Sequence, residues 1–530
     1  MTALAERVIA RFEVAKSRRH NWKETYREAQ TYASPQRENF DHREEGTRKD
    51  RSDVVFDSTL IEALDKFASN LQSTLVPPAK KWSNLVAGER IPKEKRDSAN
   101  KQLGVVRDIF FRAIHNSNFD IQVAESFLDL GIGTGNLMFT KGTINKPFIF
   151  RSAPLEEVYL ERGPEGDVGA KFREHKVAVR DIKELWSDAK FDSKLNKLLE
   201  EKPETEINFV EATIPAKIKI EVLGEDGKQT TRTVDGFQYI VLMAKDKTIV
   251  VNREQESSPW IPFRWSVKSG EVYGRGPVLK TLANAKTLNK TVEFVLKNAS
   301  MAISGAWTVV DDGVINLNTI QISPGAKIPV MSNAGGLTGP TIAPLQTGGR
   351  FDISQLIVSD LKASINSIMF AEPLGPIDLP VKTATEVSIR QQELSKRIGS
   401  AFGRLQFELI VPLVNRGLFI LEELGLIDLS GFRVDGNFIA LEHISPLAMA
   451  QDQEELMSMI RYAETLGGIF GPEAVLLLVK PDEFARKTAA LLNVPTEVVP
   501  TADEFKKMKE QIAQIAAQAQ SAAVQGQPTT

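Results

Sequence analysis

GPVLKTLANAKTLNKTVEFVLKNASMAI, residues 276–303, is the stretch on which the fold turns. Pro277 suits a first helical position, where its missing N–H costs nothing. Behind it Val278, Leu282, Ala285, Leu288, Val292, Val295, Leu296 and Ala299 recur at steps of three and four, the period of a helix with one apolar side. A second such stretch runs from Phe351 to Phe370 and carries Ile353, Leu356, Ile357, Leu361, Ile365, Ile368 and Met369 on one face. Between them, residues 303–350 lose the period. WTVVDDGVINL (307–317) reads as a hairpin on an Asp-Gly turn, while NAGGLTGP (333–340) and QTGG (346–349) read as flexible linkage. The expectation is two amphipathic rods flanking an irregular, strand-containing region.

Downstream lies AEPLGPIDLPVKTATEV, residues 371–387. Pro373, Pro376 and Pro380 fix φ and thin out the unfolded ensemble, so this loop can stay extended without strand pairing. Thr383 and Glu386 have capping-box spacing and predict a helix from Ala384 through Leu394, Ile398, Phe402, Leu405 and Leu409 to about Leu424. Pro412 should kink or break it. Unbroken, its roughly 40 residues would span about 60 Å. The last ninety residues read as helical, with Phe505, Met508, Ile512 and Ile515 as a narrow stripe and VQGQPTT (524–530) as a disordered tail.

Upstream, the first 75 residues predict helices around QRENFDHREEGTRKDRSD (36–53), whose mixed charge marks a solvated loop. Residues 105–130 continue the helical pattern up to glycines at 131–135. From about residue 205 the period shifts towards two. KIKIEVLG (217–224), KQTTRTV (228–234), FQYIVLMAK (237–245) and TIVVNRE (248–254) predict β hairpins.

The totals narrow the function. At 530 residues and 58.7 kDa several packed regions are expected. Apolar residues at 42% and charged residues at 25% are those of a folded, water-soluble chain, and no run reaches the ~18 apolar residues of a membrane helix. Neither secretion nor membrane spanning is expected. With no cysteine, thiolate metal sites, disulfides and thiol nucleophiles are excluded, and the five histidines, His20, His42, His115, His175 and His443, form no local metal motif. A formal charge of −3 argues against tight, sequence-specific nucleic-acid binding.

Few motifs point to chemistry. GIGTG (131–135) resembles a phosphate-cradling loop, but a helix precedes it and its third glycine comes one residue early, so a tight helix-to-strand turn is the plainer reading. GEDGK (224–228) lacks the P-loop spacing and reads as a hairpin turn, as do Asp311 and Asp312. The acidic pairs Glu44-Glu45, Glu156-Glu157 and Glu422-Glu423 have no convergent partner in the sequence. No catalytic, cofactor or metal residues are assigned. On the 277–303 helix, however, Lys286, Lys290 and Lys297 fall within about 40° of one another and opposite the apolar stripe. On one subunit that is a solvated face; repeated around a ring it would be a positive girdle.

Three stretches in order carry a resemblance: Pro262-Phe263-Arg264-Trp265 followed by GEVYGRGP (270–277) and a long helix, FDSTLIEALDKFASNLQSTLVPPAKKWSNL (56–85), and TATEVSIRQQEL (383–394). From about residue 10 to residue 450 the chain resembles podovirus-type head-to-tail connectors, the portal proteins. The resemblance implies a mixed α+β, mainly helical subunit with wing, stem, clip and crown, twelve copies forming a ring at one capsid vertex. Double-stranded DNA would enter and leave through it without sequence-specific contacts. It also implies a wing over 1–275, stem helices over 276–303 and 351–370 and a clip over 304–350. A tunnel loop over 371–383, a long wing helix and connection over 384–439 and a crown over 440–530 complete the plan. Lys286, Lys290, Lys297 and Lys382 become candidates to line the DNA channel, and Pro373, Pro376 and Pro380 to stiffen its narrowest loop. Lys382 is that loop's one basic residue beside Glu372 and Asp378, so a strong grip on DNA is not expected. Expected partners are further copies of the chain, a terminase that supplies ATP hydrolysis, tail or adaptor proteins, and capsid and scaffolding proteins. The place would be the virion, after assembly in the host cytoplasm, with no membrane, no enzymatic activity and no cofactor. The rival readings are another ring-forming neck or tail component and a nucleotide-binding enzyme using residues 131–135.

Overall fold

The computed structural model describes residues 2–37, 54–88, 93–223, 229–304, 307–309, 342–344, 351–371, 399, 401–429, 439–443, 446–470, 479 and 481–492. The chain divides into two compact units, one of residues 1–26, 64–279 and 373–530, the other of 27–63 and 280–372.

The first unit is built on sheets. Helix α1 (Thr2–Ala33) lays Val8, Phe12 and Ala15, spaced at four and three, onto Ala170, Phe172, Val210, Ala212, Ile240 and Leu242 of a five-stranded antiparallel sheet. That sheet runs β4-β5-β6-β7-β8: β4 (Val158–Arg162), β5 (Val168–Ala178), β6 (Glu206–Leu223), β7 (Gln229–Met243) and β8 (Ile249–Gln255), with the short helices α5 (Ile182–Leu185) and α6 (Ser193–Glu201) in the connection from β5 to β6. KQTTRTV and FQYIVLMAK, read from sequence as separate strands, are one continuous strand, β7. Gly236 at their junction gives the room, because a Cβ there would meet the Ile218 side chain at 2.6 Å.

A second sheet, β3-β2-β9, combines β2 (Thr134–Lys141), β3 (Phe148–Ser152) and β9 (Trp260–Arg264). The turn read at 131–135 points to a strand where β2 begins; β3, β4 and β5 have no counterpart in the sequence reading. Phe148 and Phe150 alternate inward from β3 onto Phe139, and the cluster continues through Phe110, Phe111, Phe119 and Trp82. Phe110 and Phe111 come from helix α3 (Lys93–His115) and Phe119 from α4 (Phe119–Ile132), the two helices that carry the helical pattern expected over 105–130, while Trp82 stands just ahead of Ser83. A two-stranded sheet pairs β1 (Ser83–Ala87) with a strand at Ile439–His443. The last ninety residues, expected to be helical ahead of a tail, open on the end of that strand and continue with helices Pro446–Phe470 and Pro481–Leu491.

The helix through Pro412 behaves as its chemistry demands. Proline has no N–H to return to residue 408, and its ring crowds that carbonyl. The chain answers with a π-helical turn over Gln406–Ile410, in which the Val411 N–H reaches the Gln406 carbonyl, before the α-helix Val411–Glu423 begins. The capping box at Thr383 lies outside the described residues.

In the second unit, helix α2 (Thr59–Leu75) contributes its first turn, α7 (Pro277–Ser304) its length from Lys280, and α8 (Phe351–Ile368) the whole of itself. Both long helices form where expected. The strand Trp307–Val309 pairs antiparallel with Ile342–Pro344, a partner beyond the predicted Asp-Gly turn, which itself lies outside the described residues. Helix α8 ends short of the proline-rich loop. Phe370 takes a left-handed φ of 54°, and the Ala371 N–H returns to the Asn366 carbonyl at 2.9 Å.

Candidate functional site

In the second unit, α7 and α8 are joined by Asn284 Nδ2 donating to Ser364 Oγ at 3.1 Å, and Ala285 and Leu288 of α7 line one small cavity together with Ile365 of α8. The strand pair between them makes the two helices an antiparallel hairpin. Towards that strand pair the cover thins: Phe294 and Leu296 on α7 and Leu356 on α8 are each more than half exposed, and Ile357 is 43% exposed. Four large apolar side chains at one end of a hairpin are a surface built for contact.

Lys286, Lys290 and Lys297 are all on the solvent side of α7, as their angular spacing predicts. None carries an isolated charge. Lys286 pairs with Glu28 of α1, whereas Lys290 and Lys297 close on the two oxygens of Glu293 at 2.8 and 2.6 Å. Their hydrogen bonds hold the Glu293 carboxyl below its ordinary range. The i+3 and i−4 spacing of Glu293 was available in the sequence; the partnership of Glu28 with Lys286, on helices far apart in the chain, was not. Lys382, Pro373, Pro376 and Pro380 lie outside the described residues.

A buried asparagine organises the same unit. Asn289 Oδ1 accepts from the N–H groups of Phe56 and Asp57 at 2.6 and 3.3 Å, while its Nδ2 donates to the Val54 carbonyl at 3.0 Å. Asp57 in turn accepts from the Thr59 N–H at 2.9 Å and pairs with Lys362 of α8 at 2.8 Å. Burial pushes the Asp57 carboxyl up, but the bonds from Lys362 and Thr59 outweigh it and leave the group below its usual value. The segment entering α2 is thus fastened to both α7 and α8.

In the first unit, residues 131–135 meet residues 274–276, which lead into α7. The Gly276 N–H donates to the Ile132 carbonyl at 2.8 Å, Thr134 Oγ1 accepts from the Gly274 N–H at 2.9 Å, and Tyr26 donates to the Gly274 carbonyl at 2.7 Å. A Cβ on Gly133 would stand 2.3 Å from the Gly274 carbonyl oxygen, and one on Gly276 2.0 Å from that of Gly131. Gly133 is there so that two backbones can pass, whereas Cβ atoms at Gly131 and Gly135 would strike the Leu64 and Phe263 side chains, and the space a phosphate would need beside Gly133 holds the Gly274 carbonyl. α4 ends at Ile132 and β2 begins at Thr134, the helix-to-strand turn expected from sequence. Tyr273 closes the clasp by accepting from the Leu160 N–H at 3.0 Å; burial pushes its hydroxyl up to about 12, against the pull of Arg19.

Two further charged groups are internal. Arg264 makes a fork to Glu408 of the π turn, with contacts down to 2.6 Å, and donates to the Val272 carbonyl at 3.0 Å. Arg173, Glu157, Glu211 and Tyr239 form a buried network in the five-stranded sheet, Tyr239 donating to Glu211 at 2.7 Å and accepting from the Trp186 indole at 2.9 Å. Sequence reading missed both, because every link joins residues from distant elements. Among the described residues no group of three or more His, Asp or Glu is placed to hold a metal ion, and no helix is long and apolar enough to cross a membrane.

Residues 5–499 match the family model described as bacteriophage head to tail connecting protein. The chain is 21% identical over 537 residues to the "Probable portal protein" of Bordetella phage BPP-1, covering 98% of this chain and 93% of that one. It is likewise 21% identical over 561 residues to the "Portal protein" of Salmonella phage epsilon15, covering 98% and 94%.

Proposed function

The chain belongs to the family of bacteriophage head to tail connecting proteins, and from that premise we propose that it is the portal subunit of a phage. Copies of it form a ring at one capsid vertex, through which double-stranded DNA is packaged and later ejected. The ring docks a terminase, which hydrolyses ATP, and then the tail; it also meets capsid and scaffolding proteins. The subunit itself is a conduit with no reaction of its own, assembled in the host cytoplasm and carried in the virion. Helices α7 and α8 are its stem, residues 304–350 its clip, residues up to 275 most of its wing, 384–439 its long helix and connection, and 440–530 its crown.

The observation that carries this reading is the helical hairpin, whose exposed Phe294, Leu296, Leu356 and Ile357 gather at one end. A head-to-tail ring needs two different contact surfaces on each copy, and two helices with separate apolar residues supply them. Lys286, Lys290 and Lys297 face the lumen. With Glu28 and Glu293 beside them the surface is only mildly positive, which holds a polyanion without fixing its register. Residues 371–383, with Pro373, Pro376, Pro380 and Lys382, form the narrowest loop of the channel.

Native mass spectrometry tests the assembly: twelve copies of 58.7 kDa give a ring of about 700 kDa. Labelling the chain in purified particles tests the place. The label should appear at one capsid vertex, and a label along the tail tube would make the protein a tail component instead.

A further inference from the structure

Strands β6 and β7 pair along their full length, from Phe209↔Met243 to Leu223↔Gln229. Their neighbours stop early. β5 leaves β6 after Lys171↔Thr213, and β8 leaves β7 at Gln255↔Phe237. Residues 214–223 and 229–236 therefore form a two-stranded arm with no strand beside either edge among the described residues. Pro215 explains the departure of β5, since it has no N–H to offer a neighbour.

The same proline fixes which way the backbone faces. In an antiparallel ladder a residue without an N–H fits a pair that makes no cross-strand bonds, so the amide nitrogen of Pro215 points away from β7. At period two, the N–H and C=O groups of Lys217 and Lys219 then point outward on one edge. Those of their partners Asp235 and Thr233 point outward on the other. Other sheet edges of this unit are closed by side chains. Asn118 bonds both backbone groups of Phe150 on β3, the Tyr273 hydroxyl takes the Leu160 N–H on β4, and Glu408 takes the Arg264 N–H on β9. The arm's edges have no such cap among the described residues. An isolated two-stranded ribbon is marginal in water, so this one gains most from a further strand.

We propose that the arm docks a second copy of the chain, its β6 edge pairing with the β7 edge of the neighbour's arm. The charges select this pairing. Exposed Lys217 and Lys219 mark one edge and exposed Asp235 the other, so unlike edges bring lysine beside aspartate, while like edges would set lysine against lysine. Each copy offers both edges at once, which is what a head-to-tail series requires. The proposal rests on the ring reading only in taking neighbouring copies to be related head to tail.

The chain has no cysteine, so single cysteines report cleanly. One population carries Lys219→Cys and a second, differently tagged, Asp235→Cys; the two are mixed before assembly and treated with a short bismaleimide, whose reach tolerates a one-residue offset. The expected product is a covalent heterodimer in excess of either homodimer. In a second variant, Lys219→Pro, the arm keeps its internal ladder but loses an outward N–H, and loss of assembly with an unchanged far-UV spectrum is expected. Closed rings without heterodimer, or rings of Lys219→Pro formed as well as wild type, overturn the arm pairing and leave the ring reading standing. Heterodimer in open chains that never close does the reverse, and neither rings nor heterodimer removes both.

Discussion

A methyl group is enough to disturb the clasp ahead of α7. At Gly276 a Cβ would sit 2.0 Å from the Gly131 carbonyl oxygen, a backbone atom that no rotamer change can move aside. Gly276→Ala should therefore cost about 1–3 kcal/mol, read as a lower unfolding midpoint in urea. Lys171 makes a different prediction. Burial pushes its ammonium down to about 8, with Asp167 opposing, although it donates to Ser258 Oγ at 3.1 Å and the Trp260 carbonyl at 3.2 Å. In the unfolded chain a lysine titrates near ~10.4, so between the two values the unfolded state holds more protons and stability rises with pH. Below the folded value the penalty is fully present. Lys171→Met should raise the melting temperature at neutral pH, and its advantage should shrink as the pH climbs towards about 10. Neither the close approach at Gly276 nor the burial of Lys171 could be read from sequence. The glycines of GIGTG suggested a turn, but the backbone that presses on Gly133 belongs to residues 274–276, far along the chain.

At the scale of elements, the π turn is where sequence and structure meet most directly. Pro412 foretold an interruption; its form, a widened turn that sets Glu408 against Arg264, depended on a partner in β9. The pair is nearly buried, with side-chain exposures of 4% and 13%. Glu408→Leu alone strands a guanidinium and should destabilise by about 3–5 kcal/mol, while Arg264→Leu with Glu408→Leu should recover much of that loss. Equilibrium unfolding of the two single variants and the double variant measures the coupling. The long helices were legible because one face of each repeats at the helical period over many residues. Strands β2 to β4 were less so: β3 and β4 are only five residues long, too short for an alternation to stand out, and β2 is buried on both faces over its first six residues, which erases the alternation that marks a half-exposed strand.

The whole molecule is legible in a coarser way. Order and spacing along the chain were enough for the family, yet no sequence pattern announces that β1 pairs with Ile439–His443 or that Glu28 meets Lys286. The lysine face shows what that omission costs. Replacing Lys286, Lys290 and Lys297 together with glutamate sets new carboxylates beside Glu28 and Glu293, so the sign of the face inverts. Rings should still form, while the DNA content of filled particles falls; normal packaging in the triple variant would take these lysines out of the channel. Glu293→Gln leaves Lys290 and Lys297 without their carboxylate, and ejection should then become more sensitive to salt, measured as released DNA against ionic strength.

Ribosomes deliver this chain in one direction, and the β1–Ile439–His443 ladder makes that order matter. The early strand emerges long before its mate has been translated, so its open hydrogen-bonding edge must wait through most of synthesis. A nascent chain halted anywhere before the mate appears keeps that edge bare and prone to adventitious pairing. Translation past His443 is thus a checkpoint: only a subunit that has reached it can seal its own seam before joining others.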